Sequence, residues 1–96
     1  MVPEELRYDR DPSYNAGNTK LVLDRAGRVV EQFAILGGTS TNCAGGVMPW
    51  GSWIACEEVF DHGEQPHGYA FEMDAHADGP VRAVPIKNAG RMVMEA

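Results

Sequence analysis

The chain has 96 residues, a formal net charge of −6 and only eight Lys plus Arg. At that length it is one small domain, or a piece of something larger, with a thin core. The basic residues are scattered singly, which excludes the basic patch that nucleic acid demands, and no apolar run is long enough to span a bilayer.

Residues 1–18 are polar and rich in Pro, Asp and Asn, and they predict an irregular N-terminal segment. No charged-then-apolar signal pattern opens it, so the chain is cytoplasmic or its leader lies upstream. Two apolar, β-rich runs follow, over 20–24 and 28–36, joined by Arg25, Ala26 and Gly27. That is the pattern of a hairpin. Residues 37–58, GGTSTNCAGGVMPWGSWIACEE, hold both cysteines, both tryptophans and the adjacent acids Glu57 and Glu58. They read as a ligand-bearing loop over 42–51 feeding a strand over 52–60. Trp50 and Trp53 are expected to pack across neighbouring strands.

A turn is predicted over 61–66 and a strand over 67–74, where Tyr69, Phe71 and Met73 share one side and Ala70, Glu72 and Asp74 the other. Residues 81–86 predict a further strand, with Pro85 marking an edge or a bulge. Residues 92–96 end the chain in what reads as the middle of a strand, the mark of a fragment. Short strands separated by turn signals indicate an all-β fold.

Several side chains carry possible chemistry. Cys43 reads either as a small buried hydrophobe, the commoner fate of a free cysteine, or as an exposed thiol that ligates a metal or acts as a nucleophile. Cys56, inside an apolar run, reads as core. Successive side chains of a regular strand point to opposite faces. Glu57 and Glu58 therefore reach one metal only if a bulge or the strand end falls there; otherwise one of them is simply solvated. His62, His67 and His76 match no zinc spacing and read as surface residues. No nucleophile elbow and no phosphate-binding glycine loop is present.

Three blocks in order, GTSTNCAGG-x-x-PWGSW-x-x-CEE, HGY-x-FE and GR-x-x-x-EA, resemble the PhoX-type bacterial alkaline phosphatases over roughly residues 17–96. The resemblance implies a β-propeller of which this chain would supply about two blades, as a fragment spanning 1–96 of a single propeller domain. It implies hydrolysis of phosphate monoesters with ferric iron and calcium, and a periplasmic or secreted protein. By the same resemblance Cys43 is an iron ligand, and Glu57, Glu58 and Glu95 are metal-binding acids. The chemistry is consistent, since thiolate suits iron and carboxylates suit calcium. Two positions depart from the family pattern. Met94 stands where a His precedes the final Glu, and Met48 where a Thr precedes Pro-Trp-Gly. With the rest of the propeller missing, the chain alone is expected to be inactive. The alternative class is a non-catalytic β module with a degraded site, which a Cys43–Cys56 disulfide would favour.

Overall fold

A computed structural model of the chain describes residues 2–95. The described residues are all-β, with seven antiparallel strands and two single-turn 3-10 helices at Glu4–Leu6 and Lys87–Ala89. The strands are β1 (Ala16–Leu23), β2 (Val29–Thr39), β3 (Asn42–Val47), β4 (Ser52–Glu57), β5 (Asp61–His62), β6 (Pro66–His67) and β7 (Ala70–Asp74). They form three small open sheets, ordered β1-β2, β3-β4-β7 and β5-β6. None of the described helices is long and apolar enough to cross a membrane.

The first hairpin turns where the sequence expects it. The Asp24 carboxylate accepts the amides of Ala26 at 2.9 Å and Arg28 at 3.0 Å, which adds to the backbone bonds from Asp24 to Arg28 and from Gly27 to Asp24. Gly27 takes φ +83°, a conformation open to glycine at no steric cost. β2 runs to Thr39, beyond the expected end at residue 36.

β1 pairs with β2 to that end, Ala16 opposite Thr39 and Gly17 opposite Gly37, and the N-terminal segment, less irregular than expected, adds to this. Tyr8 and Asp9 donate their amides to the carbonyls of Gly37 and Gly38, each at 3.1 Å. These bonds give the tail of β2 a further partner besides β1. The segment also buries Val2, Asp9 and Tyr14.

The core is small and joins the tail of β2 to the β3-β4-β7 sheet. Ile35, Leu36, Ala55, Phe71, Met73 and Ala83 form it, with Phe71 at 0% and Leu36 at 1% exposure. Fully burying a side chain of that size contributes about 1.5–3 kcal/mol. The alternation expected in β7 holds for Phe71 and Met73, which point into this core.

Three strand expectations do not hold. Residues 42–51 are a strand, β3, and then a turn, because β3 pairs with β4 from Asn42 opposite Glu57 to Val47 opposite Trp53. Residues 81–86 make one bridge, Phe71 to Pro85, instead of a strand. Proline offers no N–H, and the amides that remain point to different elements: Val81 to Ile35, Ala83 to Leu6 and Ile86 to Ala70. Residues 92–95 are not a strand either, while Ala96 lies outside the described residues. Trp53 lies against β3 as expected, since a Cβ on Gly45 would stand 2.9 Å from its Nε1, whereas Trp50 differs from expectation and is 70% exposed. The Trp50 indole donates to the Glu72 carboxylate, as does the Ser52 hydroxyl, so a polar partner holds that ring at the surface.

Candidate functional site

The β3-β4 pair carries an irregularity at Cys43. Asn42 faces Glu57 and Gly45 faces Ala55, so two residues of β3, Cys43 and Ala44, stand opposite Cys56 alone. This is a β-bulge, a device that re-aims a side chain. Here it falls on the cysteine strand, whereas β4 ends at Glu57, and Glu57 is buried while Glu58 beyond it is half-buried. Cys43 is exposed and Cys56 half-buried, and both thiols are free. The exposed reading of Cys43 therefore holds, and Cys56 is less buried than expected.

Glu58 shares the Cys43 side. Its amide donates to Thr41 at 2.9 Å, and its carboxylate lies near enough to the Cys43 thiol to raise the thiol pKa. The last described residues join them. Met92 donates to Gly68 at 2.8 Å and Met94 to Glu57 at 3.1 Å, while the Arg91 guanidinium donates to the carbonyls of His67 and Asp61. That docking brings the charge of Glu95 to bear on the thiol. The hydrogen bond to Glu58, then desolvation, then the charges of Glu58 and Glu95 raise the Cys43 pKa above its ordinary value.

Of the four residues singled out from the sequence, Glu58 and Glu95 thus bear electrostatically on the exposed Cys43. Among the described residues, however, no group of three or more His, Cys, Asp or Glu side chains is arranged closely enough to hold a metal ion.

Glu57 turns the other way and is 0% exposed. Its Oε2 accepts the Ser40 amide at 2.8 Å and lies 2.6 Å from His67 Nδ1. Its Oε1 accepts the amides of Gly68 at 2.8 Å and Tyr69 at 3.2 Å. His67, expected at the surface, is also 0% exposed. Its Nε2 lies 2.9 Å from Asp9 Oδ2, so the ring spans two buried carboxylates. Each ring nitrogen thus has a carboxylate oxygen within hydrogen-bond range.

Tyr14 stacks on the His67 ring at 4.0 Å and Tyr8 meets it edge-on at 5.3 Å. Gly63 closes the side: a Cβ there would stand 2.2 Å from Tyr14 Cε2 and 2.7 Å from Asp9 Oδ2. Burial pushes the Asp9 pKa up. The hydrogen bonds from His67 and from the amides of Asp11 and Gln65, with the His67 charge, outweigh it and hold the carboxyl below its ordinary value. Burial, with the nearby Tyr69, Glu57 and Asp9, pushes Tyr8 up to about 12.

Sequence reasoning missed Asp9 and His67. The signal for His67 was its place in the HGY-x-FE block, directly ahead of the alternating β7 run. Asp9 had no local signal, since its partner is 58 residues away.

No curated protein and no solved structure matches the chain. The family model for alkaline phosphatase PhoX matches residues 13–96, which takes in β1 to β7, the Cys43–Glu58–Glu95 face and both Glu57 and His67. The chain belongs to the PhoX alkaline phosphatase family.

Proposed function

We propose that this chain supplies one edge of the metal site of a phosphomonoesterase, with Cys43, Glu58 and Glu95 as ligands for iron and calcium. The observation that carries the reading is the exposed Cys43 thiol on the bulge of β3, with the charges of Glu58 and Glu95 acting on it. The donor chemistry fits: a thiolate suits iron and carboxylates suit calcium, and the anionic surroundings that raise the thiol pKa favour a cation. A bound cation at such a site supplies Lewis-acid polarisation of the phosphoryl oxygens.

The chain's own residues bind and orient. The bulge presents Cys43, the end of β4 presents Glu58, and the docked segment 91–95 presents Glu95. Glu57, the fourth residue named from the sequence, has both oxygens engaged in the interior, and we assign it to holding the other three in place. Further ligands come from outside residues 2–95, in a β-propeller of which these three open sheets are part and which is exported to the periplasm. Family membership supports both points.

The test is Cys43→Ser and Glu58→Gln in the complete protein, with metal content by plasma mass spectrometry and hydrolysis of p-nitrophenyl phosphate. Each variant is expected to lose iron or calcium and at least tenfold in activity. Unchanged metal content and unchanged turnover in both would sink the assignment. A second reading, a non-catalytic β module with a degraded site, draws on Met94 and on the lack of a closed three-donor group among the described residues. Metal-free unsubstituted protein would favour it.

A further inference from the structure

Behind the Cys43 face lies a polar cluster whose cost calls for a reason. Asp9, Glu57 and His67 are each 0% exposed, and removing ionisable groups from water costs several kcal/mol per ion. Apolar side chains of similar volume would fill the space as stably. Stability therefore does not account for the cluster.

Placement does. Every segment that carries a residue of the outer face is hydrogen-bonded to Glu57 or to its immediate surroundings. The Ser40 amide, three residues before Cys43, donates to Glu57 Oε2 at 2.8 Å. Glu58 follows Glu57 directly and ties back to Thr41. Met94, next to Glu95, donates to the Glu57 carbonyl, Met92 to Gly68, and Arg91 to the His67 carbonyl. Glu57 is held in turn by His67, and His67 by Asp9 and the stacked Tyr14. Asp9 is fixed by four further bonds: its own amide to Gly38, the Arg7 guanidinium to its carbonyl, and the amides of Asp11 and Gln65 to its carboxylate. The family match begins at residue 13, so the last link in this chain of contacts lies outside it.

We propose that Asp9 and His67 are positioning residues, which set Cys43, Glu58 and Glu95 in register through Glu57. The proposal rests on the reading of those three as a cation site. Outer partners of metal ligands change metal affinity by about 10–100-fold when removed, and an effect at the low end is expected here because Asp9 acts through two intermediaries.

The experiment uses Asp9→Asn, which preserves shape and removes the charge, and His67→Gln in the chelator-treated protein. Calcium affinity is measured by isothermal titration calorimetry, and amide hydrogen exchange is followed by NMR. Asp9→Asn is expected to weaken calcium binding about tenfold. It is also expected to speed exchange at the Ser40, Glu58 and Met94 amides while the β1-β2 ladder exchanges as before. Calcium affinity within twofold of the unsubstituted protein, with those three amides unchanged, overturns the proposal. So does a uniform rise in exchange across both sheets, which marks a general loss of stability. If His67→Gln does not fold, the isosteric Asp9→Asn decides. If the unsubstituted protein takes up no calcium, the cation reading of Cys43, Glu58 and Glu95 falls, and the exchange data alone decide the positioning role.

Discussion

Replacing Glu57 by Gln, and separately Glu58 by Gln, makes the same chemical change at adjacent positions with opposite surroundings. In Glu57→Gln the amide oxygen, placed at Oε1, keeps the amides of Gly68 and Tyr69. The new NH2 group then sits at Oε2, facing the Ser40 amide and His67 Nδ1. Two donors now meet where an acceptor stood. A hydrogen bond to a charged group contributes about 1.5–3 kcal/mol, and an orphaned donor costs about 1–3 kcal/mol. The imidazole relieves part of this by accepting instead of donating, which leaves an expected loss of about 3 kcal/mol.

Glu58→Gln touches a half-buried side chain whose partner is an exposed thiol, and surface substitutions fall within about 0.5 kcal/mol. Urea unfolding followed by Trp fluorescence separates the two. With a slope of about 1–3 kcal/mol/M, Glu57→Gln lowers the midpoint by about 1–3 M, while Glu58→Gln leaves it nearly unmoved. Equal midpoints for the two variants would refute the opposed orientation of these carboxylates and everything built on it.

Asp9 predicts a pH dependence. Its carboxyl is held below the ordinary value when folded, so the unfolded chain binds the proton first as pH falls. Its contribution to stability is complete above the unfolded value of about 3.9 and is lost as pH drops through the folded value. Acid unfolding of Asp9→Asn should therefore be shallower in that limb than that of the unsubstituted protein, and identical slopes would remove Asp9 from the linkage. The neighbouring glycines 45 and 46 make a steric pair. A Cβ on Gly45 would stand 2.6 Å from the Ile54 carbonyl oxygen and 2.9 Å from Trp53 Nε1, whereas one on Gly46 meets nothing within 4 Å. Gly45→Ala should lower stability by about 1–3 kcal/mol and Gly46→Ala by under about 0.5 kcal/mol, as read from thermal midpoints. Equal shifts would count against the close approach of β3 to β4.

What the sequence determined by itself is local. The turn at Asp24–Gly27, the alternation that buries Phe71 and Met73, and the opposed directions of Glu57 and Glu58 all follow from backbone geometry over a few residues. Periodicity of this kind is written into adjacent positions, and the motif blocks carried the family. Partnership across the chain was decided by the tertiary structure. His67 looks like any turn histidine until Asp9, 58 residues away, folds against it. Residues 81–86 have a strand's composition, yet their amides are drawn to three different elements. Glu95 comes within range of Cys43 only because Met94 docks on Glu57. Such contacts depend on which segments meet once the small core has formed, and on the cost of leaving any buried polar group unpaired. No window of neighbouring residues contains that information.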